Sequence, residues 1–283
     1  MKELEGEALA SAILKENGFS SEEVSRSPHE GIVNEVWMTR EHVVRINKDP
    51  ELIEDCFTEA VAAPAAWKAG ALTPQPLFFS GGDKLTSRPY SIFVRSQGVN
   101  LAMAPPLVDP EGFYRSLARE IRVVHQMILT AADPEERLDP AWLVTVDDIR
   151  DKAVNPACLG FTSRANDLAE ALDGPQWPGF AFCHQDLHPE NILADEGRLT
   201  AILDWGDAGW GDPACDLRFI PARHMKAAWE AYGADQDLKR RTCLHLIDQF
   251  LYSLIEERSY GPNGDSTWEE VSSLCHEVIS QLA

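Results

Sequence analysis

The 283-residue chain reads as an α+β protein, and three observations carry that reading. Strand-like runs broken by glycine and proline fill the first part up to Arg95. Beyond Leu101 the apolar residues recur at helical intervals. Between helical stretches lies one segment, Phe182 to Leu217, in which polar residues able to do chemistry crowd around two short β-rich runs.

In chain order, Leu4, Ala8, Ile13 and Leu14 predict a short amphipathic helix over Glu3 to Asn17, stopped by Gly18. Ile32 to Thr39 and His42 to Ile46 read as strands joined by the turn at Arg40 and Glu41. The loop before them, Ser25 to Gly31, holds one glycine and no G-x-G-x-x-G, which leaves an ordinary hairpin turn and a loop over a nucleotide both open. Asp49 as cap and Pro50 at the first position open a helix that runs to Gly70, with Pro64 predicting a kink or a break. Leu77 to Phe79 and Tyr90 to Arg95 read as further strands around the turn at Gly81, Gly82 and Asp83.

Phe113, Leu117, Ile121 and Val124 form one face of a buried helix, and His125 behind them reads as a satisfied core histidine. Residues 130 to 181 alternate loops with helical stretches around Trp142 to Val154 and Ser163 to Leu172. Asp147, Asp148 and Asp151 there suit either a solvated helix start or a wall facing an amine. Ala222 to Tyr232, Leu238 to Glu257 and Thr267 to Leu282 complete a helical C-terminal part, with Trp229, Phe250, Tyr252 and Trp268 expected in its core and Glu256 and Glu257 as possible pocket residues.

The Phe182 to Leu217 segment reads as loop, strand (Ile192 to Ala194), turn (Asp195 to Gly197), second strand, acidic loop. A tight hairpin brings the loop before it and the loop after it to one end, so Asp186, Asn191 and Asp204 converge. Phosphoryl transfer from a nucleotide needs such a set: one carboxylate to accept the proton of an attacking hydroxyl, and a carboxamide with a second carboxylate to hold Mg²⁺ on the phosphates. Asp186 is then the base, and Asn191 and Asp204 are the metal ligands. Magnesium prefers hard oxygen donors, which disfavours His184 and His188 as its partners, although H-x-D-x-H leaves a zinc site open.

The run His184, Gln185, Asp186, Leu187, His188, Pro189, Glu190, Asn191 resembles the H-x-D-L-H-P-x-N catalytic loop of the aminoglycoside phosphotransferase and choline kinase-like small-molecule kinases. Leu203 to Leu217, LDWGDAGWGDPACDL, resembles their metal-binding segment, with Gln185 standing where a glycine is usual. The resemblance implies a two-lobe, protein-kinase-like fold, with a five-stranded antiparallel sheet in a nucleotide-binding lobe over residues 1–97 and a mainly helical catalytic and substrate-binding lobe over 98–283. It implies Arg45 in the place of the phosphate-contacting lysine, paired with Glu59. It further implies Gly31 and Asn34 at the end of the nucleotide loop, and backbone groups near Val94 and Ser96 reading the purine edge of ATP or GTP. Asp212 and Asp216 resemble carboxylates that brace the catalytic loop.

Lys plus Arg number 25 against 46 Asp plus Glu, a formal charge of −21. Such a surface repels phosphate backbones and disfavours nucleic acid as a partner. The excess suits solubility, or a cleft for a polycationic acceptor such as an aminoglycoside. Six cysteines, none closer than 25 positions to the next, read as reduced thiols of a cytoplasmic protein, and no apolar run approaches the ~18 residues of a membrane span. The expected activity is Mg²⁺-dependent transfer of a γ-phosphate to a hydroxyl of a small molecule. An antibiotic leads as acceptor, a metabolite such as choline, ethanolamine, homoserine or a sugar comes second, and a nucleotide-binding pseudokinase is the alternative outside enzymes.

Overall fold

In the computed structural model, residues 4–28, 33–48, 53–127, 143–174 and 181–282 are described. Helix α1 (Gly6–Glu16) precedes strands β1 (Ser25–Arg26), β2 (Asn34–Met38) and β3 (His42–Asn47), followed by α2 (Ile53–Ala69), β4 (Pro76–Ser80) and β5 (Tyr90–Val94). The strands form one antiparallel five-stranded sheet in the order β1-β2-β3-β5-β4. The expected sheet is therefore present, and the first two residues of the loop read before β2 form its edge strand.

Helix α1 covers one face of this sheet. Its buried stripe is Leu9, Ala10, Ile13 and Leu14, packed with Trp37, Val44, Ile46 and Ile92. Leu4 and Ala8, read from the sequence as part of that stripe, are exposed: Leu4 precedes the helix and Ala8 lies on its outer side. Pro64 does not break α2, which is assigned as one helix through it. Ala62, Ala63 and Ala66 are fully buried in the main core, and that burial holds the helix together across the hydrogen bond a proline cannot donate. The expected opening of this helix at Asp49 and Pro50 lies outside the described residues.

The remainder is mainly helical, so the two-lobe, kinase-like α+β architecture holds. Helix α3 (Pro110–His125), capped by the Asp109 side chain, buries Phe113, Leu117, Ile121 and Val124 and packs against α7 (Met225–Tyr232). Helices α4 (Val146–Ala153) and α5 (Thr162–Ala171) pack on each other, and α8 (Gln236–Ile255) meets α4 and α9 (Trp268–Leu282). Asp148 closes a capping box with Thr145, and Asp147 pairs with Arg150 at 2.8 Å, so these carboxylates serve the start of α4. Trp229 and Trp268 are buried and Phe250 packs half-buried against the same core, whereas Tyr252 is 37% exposed, so the core expectation fails for Tyr252.

Short strands set the frame of the polar segment. Strand β6 (Val99–Asn100) pairs with β8 (Ile192–Asp195), which pairs with β9 (Arg198–Ile202). The β8–β9 turn places Glu196 at φ 48° and Gly197 at φ 75°, the two left-handed residues of a type I′ hairpin. Strand β7 (Ala181–Cys183) pairs with β10 (Gly209–Gly211), tying the chain just before the 184–191 loop to the chain just after the acidic loop. Helix α6 (Ala214–Leu217) follows at once. No helix among the described residues is long and apolar enough to cross a membrane.

Candidate active site

The hairpin does what its spacing predicts. Ile192 lies opposite Ile202, and the Leu203 N–H donates to the Asn191 carbonyl at 2.8 Å, so Asn191 and Asp204 emerge side by side. His184 clamps the two loops together: one ring nitrogen accepts the Asp186 N–H at 3.3 Å and the other meets the Leu203 carbonyl at 2.8 Å. That leaves no ring nitrogen of His184 for a metal and counts against the zinc alternative. Asp204 sits at φ 61°, a left-handed conformation that a short polar side chain tolerates.

Asp186 is held at one oxygen. Its Oδ2 accepts from the Asn191 carboxamide at 2.9 Å and lies 3.2 Å from His188 Nε2. His188 Nδ1 accepts the Glu190 N–H at 3.2 Å, which places the ring hydrogen on Nε2, aimed at Asp186. The His188 ring in turn stacks on Tyr260 at 5.4 Å. Burial alone would raise the Asp186 carboxyl, but the His188 hydrogen bond, with the charge of Arg218, holds it below the ordinary aspartate value. It is therefore ionised at neutral pH, with Oδ1 the oxygen left to accept a proton.

Asn191 commits its nitrogen to Asp186, donating to both its carbonyl and its carboxylate at 2.9 Å. The carboxamide oxygen is thereby the atom left for a cation. Asp204, one residue beyond the backbone bond between Leu203 and Asn191, adds a carboxylate, so the donor set is hard oxygen, which fits Mg²⁺.

Arg45, on β3, bonds Glu59 of α2 through Nη1 and Asp204 through Nη2 at 2.8 Å. Burial works against its charge, but Asp204 and Glu59 outweigh that and hold the guanidinium above its ordinary value. Glu59 is buried, and that burial pushes its carboxyl up to about 7 against the pull of Arg45. The guanidinium thus links the sheet, α2 and the acidic loop. The chain after α2 reinforces that link, with the Leu72 carbonyl accepting the Ile202 N–H at 2.7 Å and Thr73 Oγ1 accepting the Trp205 indole N–H at 2.9 Å.

Asn34 is buried beside this pair. Its Oδ1 accepts from the Cys56 thiol at 3.7 Å, and with Arg45 and Glu59 it lines a cavity of about 80 Å³ between the sheet and α2. Gly31 lies outside the described residues. At the end of β5 the Val94 N–H donates to the Gln75 carbonyl at 2.9 Å, which engages that amide within the sheet edge; Ser96 follows in the connector toward β6.

Asp216 braces the catalytic loop as expected, accepting the His184 N–H at 2.8 Å, the Gln185 N–H at 2.7 Å and a bond to His125 at 3.0 Å. His125 is accordingly a satisfied core histidine, bonded also to Tyr232 at 2.8 Å. Asp212 instead braces its own helix and α8, through the Ala214 N–H at 2.9 Å and Arg241 at 3.0 Å.

Several residues of the site went unread in the sequence. Partial burial and crowding by Asp186, Asp55 and Asp204 push the Asp207 carboxyl up to about 6; its side chain is exposed, which makes like-charge crowding the stronger physical cause. Asp55 of α2 lies so close that a Cβ on Gly206 would stand 3.0 Å from its own. On the other side of Asp186, Arg218 donates to the Gln185 carbonyl at 3.0 Å and Arg258 pairs with Glu190 at 2.8 Å. Glu190 inside the H-P-x-N run was the one available pointer to a cationic neighbour.

Residues 27–240 match the model of the phosphotransferase enzyme family. Viomycin phosphotransferase of Streptomyces vinaceus is 29% identical over 178 residues, covering 59% of this chain and 61% of that protein, so the chain matches about three fifths of this relative's length. Among solved structures, the GDP complex of aminoglycoside 2'-phosphotransferase-IIIa superposes with a TM-score of 0.62 at 14% identity, covering 97% of this chain and 99% of that one. A choline/ethanolamine kinase family protein from Mesorhizobium loti does so with a TM-score of 0.54 at 20% identity, covering 96% and 92%. The chain belongs to the phosphotransferase enzyme family.

Proposed function

We propose that the protein transfers the γ-phosphoryl group of a nucleoside triphosphate, ATP or GTP, to a hydroxyl of a small molecule. The observation that carries this reading is the meeting of Asp186, Asn191 and Asp204 at the open end of the β8–β9 hairpin, with Arg45 bonded to Asp204. Asn191 and Asp204 would hold Mg²⁺, which when bound neutralises phosphate oxygens. Asp186 accepts the proton of the acceptor hydroxyl as the new oxygen–phosphorus bond forms and the bond from phosphorus to the β,γ-bridging oxygen breaks, releasing the nucleoside diphosphate. Arg45 contributes a fixed positive charge for the phosphates, and Glu59 holds its orientation. Residues 1–97 serve as the nucleotide-binding lobe, with Gly31, Asn34, Val94 and Ser96 around the nucleotide, and 98–283 as the catalytic and acceptor-binding lobe.

An antibiotic acceptor draws support from the names of the relatives, and a cationic one from the formal charge of −21. A metabolite acceptor without that positive charge is favoured by the two guanidinium groups beside the catalytic loop. The presence of a carboxylate for the base, two oxygen donors for the cation and a fixed guanidinium speaks against a pseudokinase. Asp186→Asn is expected to lower kcat by about 10²–10⁴ with nucleotide affinity retained, measured by phosphate transfer to an acceptor panel and by nucleotide titration. Unchanged turnover in that variant would overturn the reading.

A further inference from the structure

A pocket of about 200 Å³ opens beside the catalytic loop, between the chain after α6, one face of α8 and the loop that follows α8. Three of its walls touch the loop on which Asp186 sits. Arg218 donates to the Gln185 carbonyl at 3.0 Å, Tyr260 stacks on His188, and Arg258 reaches Glu190 at 2.8 Å. Its floor is apolar, built from Phe219, Leu246, Phe250 and Leu254.

The charge of the walls runs against the charge of the molecule. Arg218 lies over the Phe219 ring at 4.8 Å and Arg258 over Tyr260 at 4.7 Å, which fixes both guanidinium planes at the mouth. Among the described residues, Asp265 is the one carboxylate on the wall, and its oxygens accept from the Ser259 hydroxyl at 2.5 Å and the Tyr260 N–H at 2.7 Å, turned into its own loop. Glu190 takes one of the five N–H donors of Arg258. Glu256 and Glu257 are exposed and are not part of the wall. The overall charge of −21 acts at long range and is screened within about 8 Å at physiological salt, so contacts inside the pocket decide what it holds.

We propose that this pocket binds the acceptor, and that the acceptor is a hydroxyl-bearing small molecule with an apolar body and an anionic group, the apolar part on Phe219, Leu246 and Phe250 and the anionic group between Arg218 and Arg258. This rests on the phosphotransfer reading for the fate of the hydroxyl, which the pocket directs toward Asp186. The specificity it assigns is one of charge.

The test compares two probes of like size and opposite charge, 3-hydroxy-3-phenylpropanoate and 3-amino-1-phenylpropan-1-ol, by calorimetric titration into protein saturated with Mg²⁺ and a non-hydrolysable ATP analogue. The expected result is at least tenfold tighter binding of the carboxylate. Arg258→Gln should erase most of that difference, and Ser253→Asp, which places a carboxylate on the wall, should invert it; unchanged affinity for the ATP analogue shows that both variants are folded. Tighter binding of the amine to the wild-type protein, or binding of neither probe while the ATP analogue binds, overturns the proposal. The phosphotransfer reading is judged apart, by whether the bound carboxylate gains a phosphate when ATP replaces the analogue.

Discussion

Gln185 adopts φ 69°, the left-handed region that costs a residue with a Cβ roughly 1 kcal/mol. Its backbone is fixed there by the Asp216 carboxylate on one side and Arg218 on the other, which explains in steric terms why the family resemblance places a glycine at this position. Gln185→Gly is expected to leave kcat within about twofold and to raise stability by up to ~1 kcal/mol in thermal unfolding. At Arg45 the sequence showed a cation at the right place, but only the fold reveals that one guanidinium serves two carboxylates at once. A lysine is a point charge and cannot span both with the same geometry. Arg45→Lys is therefore expected to lower kcat/KM for nucleotide about tenfold, near 1.4 kcal/mol, in steady-state kinetics. The bond of His188 to Asp186 was not legible, because it depends on a rotamer set by Glu190 and Tyr260, which no spacing encodes.

Among the elements, the β8–β9 hairpin and the long helices were readable because each is determined locally, the hairpin by its turn and the helices by periodic apolar faces. Strands β6, β7 and β10 were not. They run for two or three residues, too short to show a period, and they exist because partners distant in sequence present matching edges, as Cys183 does to Gly209. Helix α2 shows the same override in the opposite sense, since Pro64 argued for a break that tertiary burial prevents. If buried alanines hold the helix against its proline, Pro64→Ala should restore the missing hydrogen bond to Ala60 and stabilise the protein by about 1 kcal/mol or more. A loss of stability in denaturant titration would mean that the ring itself is packed tightly enough to matter.

For the molecule as a whole, the buried brace at Asp216 makes folding and the site depend on pH together. Its side chain is fully buried; burial alone would raise the carboxyl, but His125, His184 and the loop amides hold it below the ordinary value of 3.8. A carboxylate whose folded value is depressed contributes stability that is complete above the unfolded value and is lost as pH falls through the folded one. Acid unfolding should consequently steepen below about pH 4. Asp216→Asn should flatten that slope while costing about 3 kcal/mol or more at pH 7, since a carboxamide offers one acceptor oxygen where two backbone amides and His125 need two. Urea titrations between pH 3 and 7 would check both effects. The sequence by itself determined the α+β class, the hairpin and the three oxygen-bearing residues at its end, because local turn chemistry and the kinds of donor a residue offers are written in residue type and spacing. The tertiary structure alone decided which carboxylates crowd Asp207, how Arg45 divides itself between two lobes, and that arginines stand beside the Asp186 loop, because those depend on side chains brought together from elements up to 159 positions apart.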